Sequence, residues 1–418
     1  MNRYASTIEA GRRLDDRVTK SSVLHHVDRS SPGESVTQEE REATRAYLEA
    51  ISARGVGTFL ANGGGLDWLL ETLGDRPVPV LVSDGRAGKP ANASPTAAHL
   101  GYPVHEIGRR RGPVLRRGLD LAARPLAATM RAIGFDRVAY VNHWLFPSAE
   151  PLPPEPAALA ALIESVARRF PRHAVALPGV VPALSPDLAL SLCRLGGRAI
   201  PSRVVHLQRP GRAFPGKAMR AVRHNRNADF AVHARHAAHK TTAPAFLAKH
   251  SERLSDLYRG LYLERHPAHL NPQFTPEFFR LLVESGAFEV AGWTGASGEL
   301  DAFNIRLVRG GVTWWTIGGY NTRLPHSLGL YRLIAIDDIV NGEVHRLVVN
   351  AGSGNGDFKR RRGAEPATEF AFVFKGHLPR SARLPWQVLE RARRVRLAGQ
   401  GLSADVVAAL DEAARARP

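Results

Sequence analysis

Apolar residues along the chain fall into two textures. Between residues 55 and 202, short β-rich runs alternate with stretches whose apolar positions recur every three or four residues. Residues 78–82 (VPVLV), Arg137–Val141 and 173–177 (HAVAL) read as strands, and 115–133 and 155–170 as helices, the first with an interruption expected at Pro125. Thr37-Gln38-Glu39-Glu40 has capping-box spacing and opens a helix expected to reach about Arg54. The proline-rich stretch 150–156 reads as a connector. This alternation points to an α/β or α+β domain.

The second texture begins near residue 203. A long helical stretch, 246–266, precedes a helix at 275–286 with Thr275 as N-cap and Pro276 in its first turn. Three strands follow, 288–294, 300–310 and 311–320, the last two joined by a hairpin turn. A loop, a helix from Leu330, a strand at 345–352, a basic element at 358–362 and a last strand at 369–375 complete the order. The division expected is a flexible arm (1–36), an N-terminal α/β domain (37–202), a C-terminal domain (203–378) and a helical extension (379–418).

Composition narrows the partners. The 418 residues have room for about two or three domains. With 57 Lys+Arg against 39 Asp+Glu, the formal charge of +18 favours polyanions over cationic substrates, although an arginine-rich coding bias gives the same excess. The lone Cys193 excludes an internal disulfide framework and a cysteine zinc site. No apolar run approaches the roughly 20 residues of a membrane span, and the polar N-terminus does not read as a signal peptide, so a soluble cytoplasmic protein is expected. No GxGxxG follows the first strand and no GxxxxGK[ST] occurs, which leaves no Rossmann or P-loop site. His233, His236 and His239 are three apart, but on a helix the outer two lie on different faces, and no metal is expected. The stretch 142–147 (NHWLFP) reads either as a cleft wall or as a buried aromatic plug.

Two basic segments carry the candidate chemistry. Residues 203–226 hold seven Lys/Arg and no acid. Lys217, Arg220 and Arg223 fall at helical spacing and, with Arg226, are candidates for nucleic-acid contacts, the alternative being a solvated helix face. In GSGNGDFKRRRG (352–363) the glycines follow no phosphate signature and read as a strand-to-helix turn. A lysine and three arginines packed behind a strand end repel one another unless an anion or carboxylates sit nearby; a surface cluster is the alternative.

Residues 206–376 resemble the GNAT superfamily, in particular its Fem-type aminoacyltransferase branch, with the FemAB-like (acetyltransferase-6) proteins. The likeness rests on the basic helix with Lys217 and Arg220, on TWWTIGGY followed by PHSLGLYRL, where Gly329 opens a helix, and on Phe358-Lys359 with a short basic run and Gly363. It implies a GNAT-like mixed sheet flanked by helices, two tandem domains with the first degenerate, and central strands that splay apart. It implies an amide-forming N-acyltransferase in which Lys359 stabilises the developing oxyanion and Phe358 shapes the pocket wall. Asp357 is a candidate base or simply a helix cap. Arg360, Arg361, Arg362, Gly329, Tyr331, Arg332, Ile317, Gly318, Tyr320 and Asn350 are candidates for binding donor and acceptor, and Trp314, Trp315 and Tyr320 for stacking on a terminal adenosine, the alternative for alternate members being a place in the strand core, since period 2 sends neighbours to opposite faces. One departure matters: acetyl-CoA-dependent members carry R/Q-x-x-G-x-G/A at the helix start, whereas RLPHSLGL keeps one glycine, which weakens a pyrophosphate cradle. The donor expected is therefore aminoacyl-tRNA, with tRNA as partner, no tightly bound cofactor, and the amine of a small molecule or peptide precursor as acceptor. An acyl-CoA- or acyl-carrier-dependent N-acyltransferase is the alternative, and a non-catalytic nucleic-acid-binding protein the third reading.

Overall fold

The computed structural model describes residues 36–146, 149–398 and 404–415; the arm expected over 1–36 lies outside them except for Val36. Helix α1 (Gln38–Arg54) starts where local chemistry requires it. Thr37 Oγ1 accepts from the Glu40 N–H (3.1 Å), while the Glu40 carboxylate accepts from the Thr37 N–H (3.0 Å). Its inner face buries Tyr47, Leu48 and Ile51.

Among the described residues, eleven strands build one mixed sheet. They are β1 (Leu66–Leu73), β2 (Arg76–Asp84), β3 (Arg137–Val141), β4 (Ala174–Val180), β5 (Arg198–Gln208), β6 (Lys240–Thr241), β7 (Glu289–Thr294), β8 (Leu300–Arg309), β9 (Val312–Tyr320), β10 (Val348–Asn350) and β11 (Glu365–Phe374). The helices that matter below are α2 (Tyr102–Arg111), α3 (Pro113–Ala132), α4 (Pro156–Arg169), α5 (Pro186–Arg194), α6 (Arg220–His236), α7 (Leu330–Val344), α8 (Gly356–Arg360) and α9 (Arg380–Ala398).

The order across the sheet is β1-β2-β3-β4-β11-β5-β10-β9-β8-β7-β6. Each half repeats one plan. An antiparallel meander (β1–β3, then β7–β9) leads through a helix (α4, then α7) to a strand parallel to its predecessor (β4 on β3, β10 on β9). A further helix (α5, then α8) precedes a closing strand. The closing strands are exchanged. β11 lies against β4, β5 lies against β10, and the two pair antiparallel from Glu365↔Leu207 to Val373↔Arg198 at the sheet's centre. The boundary expected between 202 and 203 thus falls inside β5.

Apolar burial joins the halves. Trp144 and Phe146 are both buried, within the stretch that sequence reads as wall or plug. Trp144 stacks on Tyr47 of α1 at 5.7 Å between centroids, and Phe288 meets Tyr47 edge-on at 5.0 Å. The stretch is a plug.

Two local expectations are corrected. Helix α3 continues through Pro125, which is exposed, so water can serve the carbonyl freed by the missing N–H. The basic helix begins at Arg220, so Lys217 belongs to the preceding turn rather than to a shared helical face.

Candidate active site

Strands β9 and β10 pair only where Val312–Trp314 faces Val348–Asn350. Beyond Trp314, β9 continues along β8, and an irregularity between the pairs Ile305↔Ile317 and Arg306↔Trp315 leaves Thr316 as the extra residue. Because β10 ends at Asn350, the sheet opens at this point. A cleft of about 30 Å³ occupies the opening, its lining including Gln208, Trp315, Tyr331, Asp338, Phe358 and Lys359.

Lys359 is a buried cation of this cleft, 6% exposed, and Arg362, which also lines it, is 7% exposed. Its Nζ donates to the carbonyl oxygens of Gly352 (3.1 Å) and Ser353, and lies 5.5 Å from the centre of the Trp315 ring. The intervening turn makes this possible. Gly352 and Gly354 take φ of +67° and +73°, and Asn355 takes +40°, so the chain curls back over the lysine. An ammonium has three donors; two are spoken for, which leaves one for a ligand. Burial, and to a lesser degree the Arg203 charge, push the Lys359 pKa down to about 7.

The same cleft holds a carboxylate that the sequence reading did not single out. Asp338 of α7 is buried and accepts from Asn304 Nδ2 (2.8 Å) and Arg306 Nη1 (3.2 Å). Burial raises its pKa to about 7 against the pull of Arg306, and its neighbour Asp337 adds to the rise. Asp337 itself is held well below the usual carboxylate range by Arg306 and Lys240, which outweigh its burial. A signal was there: Asp337-Asp338 are the only consecutive acids inside the apolar run LIAIDDIV.

The three arginines at 360–362 have separate fates. Arg360 pairs with Asp357 at the surface. Arg362 is buried, forms an ion pair with Asp229 of α6, and lies 3.4 Å above the Phe358 ring. Arg332 Nε reaches the other oxygen of Asp229 at 2.5 Å, so one buried carboxylate ties α6, α7 and the segment after α8 together. Arg361 is exposed. Phe358 packs against Tyr331 at 4.9 Å, forming one wall.

The other residues singled out from sequence lie at varied distances from this cleft. Asp357 is 79% exposed in its side chain, in the first turn of α8, whose N-cap is Asn355. Gly329 takes φ +69° as the N-cap of α7, and a Cβ there would meet Val232 of α6 at 3.2 Å. Ile317 and Tyr320 are buried in β9, and Gly318 lies in the strand between them. Asn350 is buried, and its Oδ1 accepts from the Gly352 N–H at 3.0 Å. Trp315 faces the cleft, whereas Trp314 is buried and lines a second small cavity with Asn142 and Glu150. Lys217 and Arg220 are exposed. Arg223 Nη1 donates to the Phe214 and Gly216 carbonyls. Arg226 is turned inward, 5% exposed, and bonds to Glu343 (2.9 Å) and Gln208 (3.2 Å).

No family model and no curated protein matches the sequence. Solved structures match the chain at low identity. One is the C-terminal domain of a protein described as a lysylphosphatidylglycerol synthetase from Agrobacterium fabrum, 12% identical, with a TM-score of 0.45 over 86% of this chain and 97% of that one. Another is L-PGS from Bacillus licheniformis, 13% identical, with a TM-score of 0.43 over 87% and 99%. FemX is 10% identical, with a TM-score of 0.38 over 60% of this chain and 83% of its own.

Proposed function

We propose that the chain is an amide-forming N-acyltransferase that moves an aminoacyl group from aminoacyl-tRNA to the amine of a small molecule or peptide precursor. The observation that carries this reading is the placement of Lys359: a buried cation with a free donor, in the opening between β9 and β10. In the step, the amine nitrogen attacks the ester carbonyl carbon, and a C–N bond forms as the carbonyl π electrons move to oxygen. The Lys359 ammonium stabilises that oxyanion. Collapse breaks the bond to the ribose oxygen, which leaves with a proton, while the attacking nitrogen gives one up. Lys359 and Asp338, both near neutrality in pKa, are the groups in the cleft able to hold protons at that moment.

The choice of donor is supported by the start of α7. Val232 lies beside Gly329, and His236 contacts the Leu328 carbonyl, so α6 packs on the turn that leads into this helix, a turn that keeps one glycine where a pyrophosphate cradle has more. The net charge of +18 and the exposed Lys217 and Arg220 favour a long polyanion. An acyl-CoA- or acyl-carrier-dependent enzyme is the second reading, favoured by the lack of a side-chain cap on the first amides of α7.

Binding to bulk aminoacylated tRNA, to uncharged tRNA and to acetyl-CoA, each at low and moderate salt, tests the proposal. Tight, steeply salt-dependent binding that prefers the charged tRNA supports it. Acetyl-CoA binding with tRNA association indifferent to charging overturns it.

A further inference from the structure

Among the described residues, eight of the eleven large apolar side chains left exposed belong to α2, α3 and α9. On the first two these are Ile107, Val114, Leu115, Leu121 and Leu126, with Val114 83% and Leu121 68% exposed. On α9 they are Leu384, Val388 and Val395, the last 74% exposed. Spacings of four and seven on α9 (384, 388, 395) place that set along one side of its helix, whereas on α3 Val114 and Leu121 share one side and Leu115 and Leu126 lie about 120° round from them. Helices α2 and α3 pack on each other, and α9 meets the residues that flank them. Trp386 of α9 packs on Phe135 just after α3, with 4.8 Å between ring centres, and Arg393 Nη2 lies 2.6 Å from His99 Nδ1 just before α2.

The charges here have one sign. Every exposed charged residue described on these helices is an arginine: Arg111, Arg117, Arg124, Arg380 and Arg391. Glu106 and Asp120 are partly buried, and Glu390 is buried against Arg198 and Arg394. A face made to sit in water intersperses acids among its bases. A face made for single-stranded RNA offers aromatic rings for stacking, and here the exposed apolar groups are all aliphatic. Among the described residues, no helix is long and apolar enough to cross a membrane.

We propose that α2, α3 and α9 form a docking face for the surface of an anionic lipid bilayer, the leucines and valines entering the headgroup boundary and the arginines meeting lipid phosphates. Aliphatic insertion and charge attraction add in such binding, and either alone is weak. The proposal is independent of the donor and of the reaction.

The test is flotation of the full chain with vesicles of phosphatidylglycerol mixed with phosphatidylcholine, and with vesicles of phosphatidylcholine alone. The chain should float with the mixed vesicles at least about tenfold more tightly than with the neutral ones, and Val114→Gln with Leu121→Gln should remove about tenfold of that affinity. These changes add no charge, so the loss reports insertion. Val388→Gln with Val395→Gln, seven apart on α9, gives the same readout should the first pair disturb folding. No flotation with the mixed vesicles overturns the proposal. So does flotation unaffected by both pairs and displaced by tRNA, because the face would then be a nucleic-acid surface.

Discussion

Lys359 Nζ donates to the carbonyl oxygen of Gly352 at 3.1 Å, so the glycine-rich turn aims its oxygens at a cation. A phosphate loop does the reverse, gathering N–H groups around an anion. Left-handed glycines serve both designs, and the polarity of what they present decides between them. Here the turn is a lysine holder. Lys359→Met should lower the single-turnover rate of acyl transfer by about 100-fold or more. Lys359→Arg should not restore it, because a planar fork cannot reproduce three tetrahedral donors in so small a space.

The buried lysine also sets a pH dependence of stability. Its pKa is about 7 in the fold, against an ordinary 10.5. Between these values the unfolded chain binds the extra proton, so this group's contribution to stability rises with pH across that window. Replacement by Met removes the dependence. The stability of Lys359→Met relative to the parent should therefore fall by up to about 4 kcal/mol from pH 7 to pH 10, measured by urea unfolding. A difference that stays constant would mean that the lysine is not desolvated.

Asp229 is fully buried between Arg362 and Arg332. Asp229→Ala strands a buried guanidinium and should destabilise by about 3–5 kcal/mol. Arg332→Ala should lose about 1 kcal/mol or less, since that side chain is 36% exposed and the Arg362 pair survives it. Denaturant midpoints of the two variants give the comparison.

Gly319 has no room for a side chain. A Cβ there would lie 2.4 Å from the Phe303 ring and 2.9 Å from the backbone of Leu257 and Tyr258. Gly319→Ala should destabilise by about 1–3 kcal/mol. Gly57→Ala, at a helical position with nothing within 4 Å, should be neutral or mildly stabilising. Thermal melts of both variants separate crowding from loss of chain freedom.

If tRNA is the donor, the exposed Lys217 and Arg220 should behave as phosphate contacts. Replacing either by Ala should lower the slope of log K against log salt by about one. Arg226→Ala should instead lower the melting temperature, because this arginine is buried on Glu343 and Gln208.

Much of the fold is written locally. The Thr37 capping box, strand β3 with its bounds, and the β8–β9 hairpin follow from spacing and turn chemistry over a few residues. The alternation that sends Trp315 to the cleft and Trp314 to the other side is local as well. What escaped depends on distant partners. Strand β5 was hidden because its basic residues read as the start of a new region, and its place is fixed by β11, more than 150 residues further on. Asp229 lies just past the end of the acid-free run and gains meaning only when Arg332 and Arg362 reach it. Asp338 was concealed within a helix whose apolar character pointed to core.

The exchange of β5 and β11 gives this chain a particular birth order. When the ribosome has made residues 38–208, β4 has an open edge and β5 has neither of its neighbours, because those are β11 and β10. The strand that covers β4 is the last of the sheet to emerge. The N-terminal half therefore waits, with an uncovered edge, for a segment ending at Phe374. A stop codon anywhere before that strand would damage the half already synthesised as surely as the half still missing.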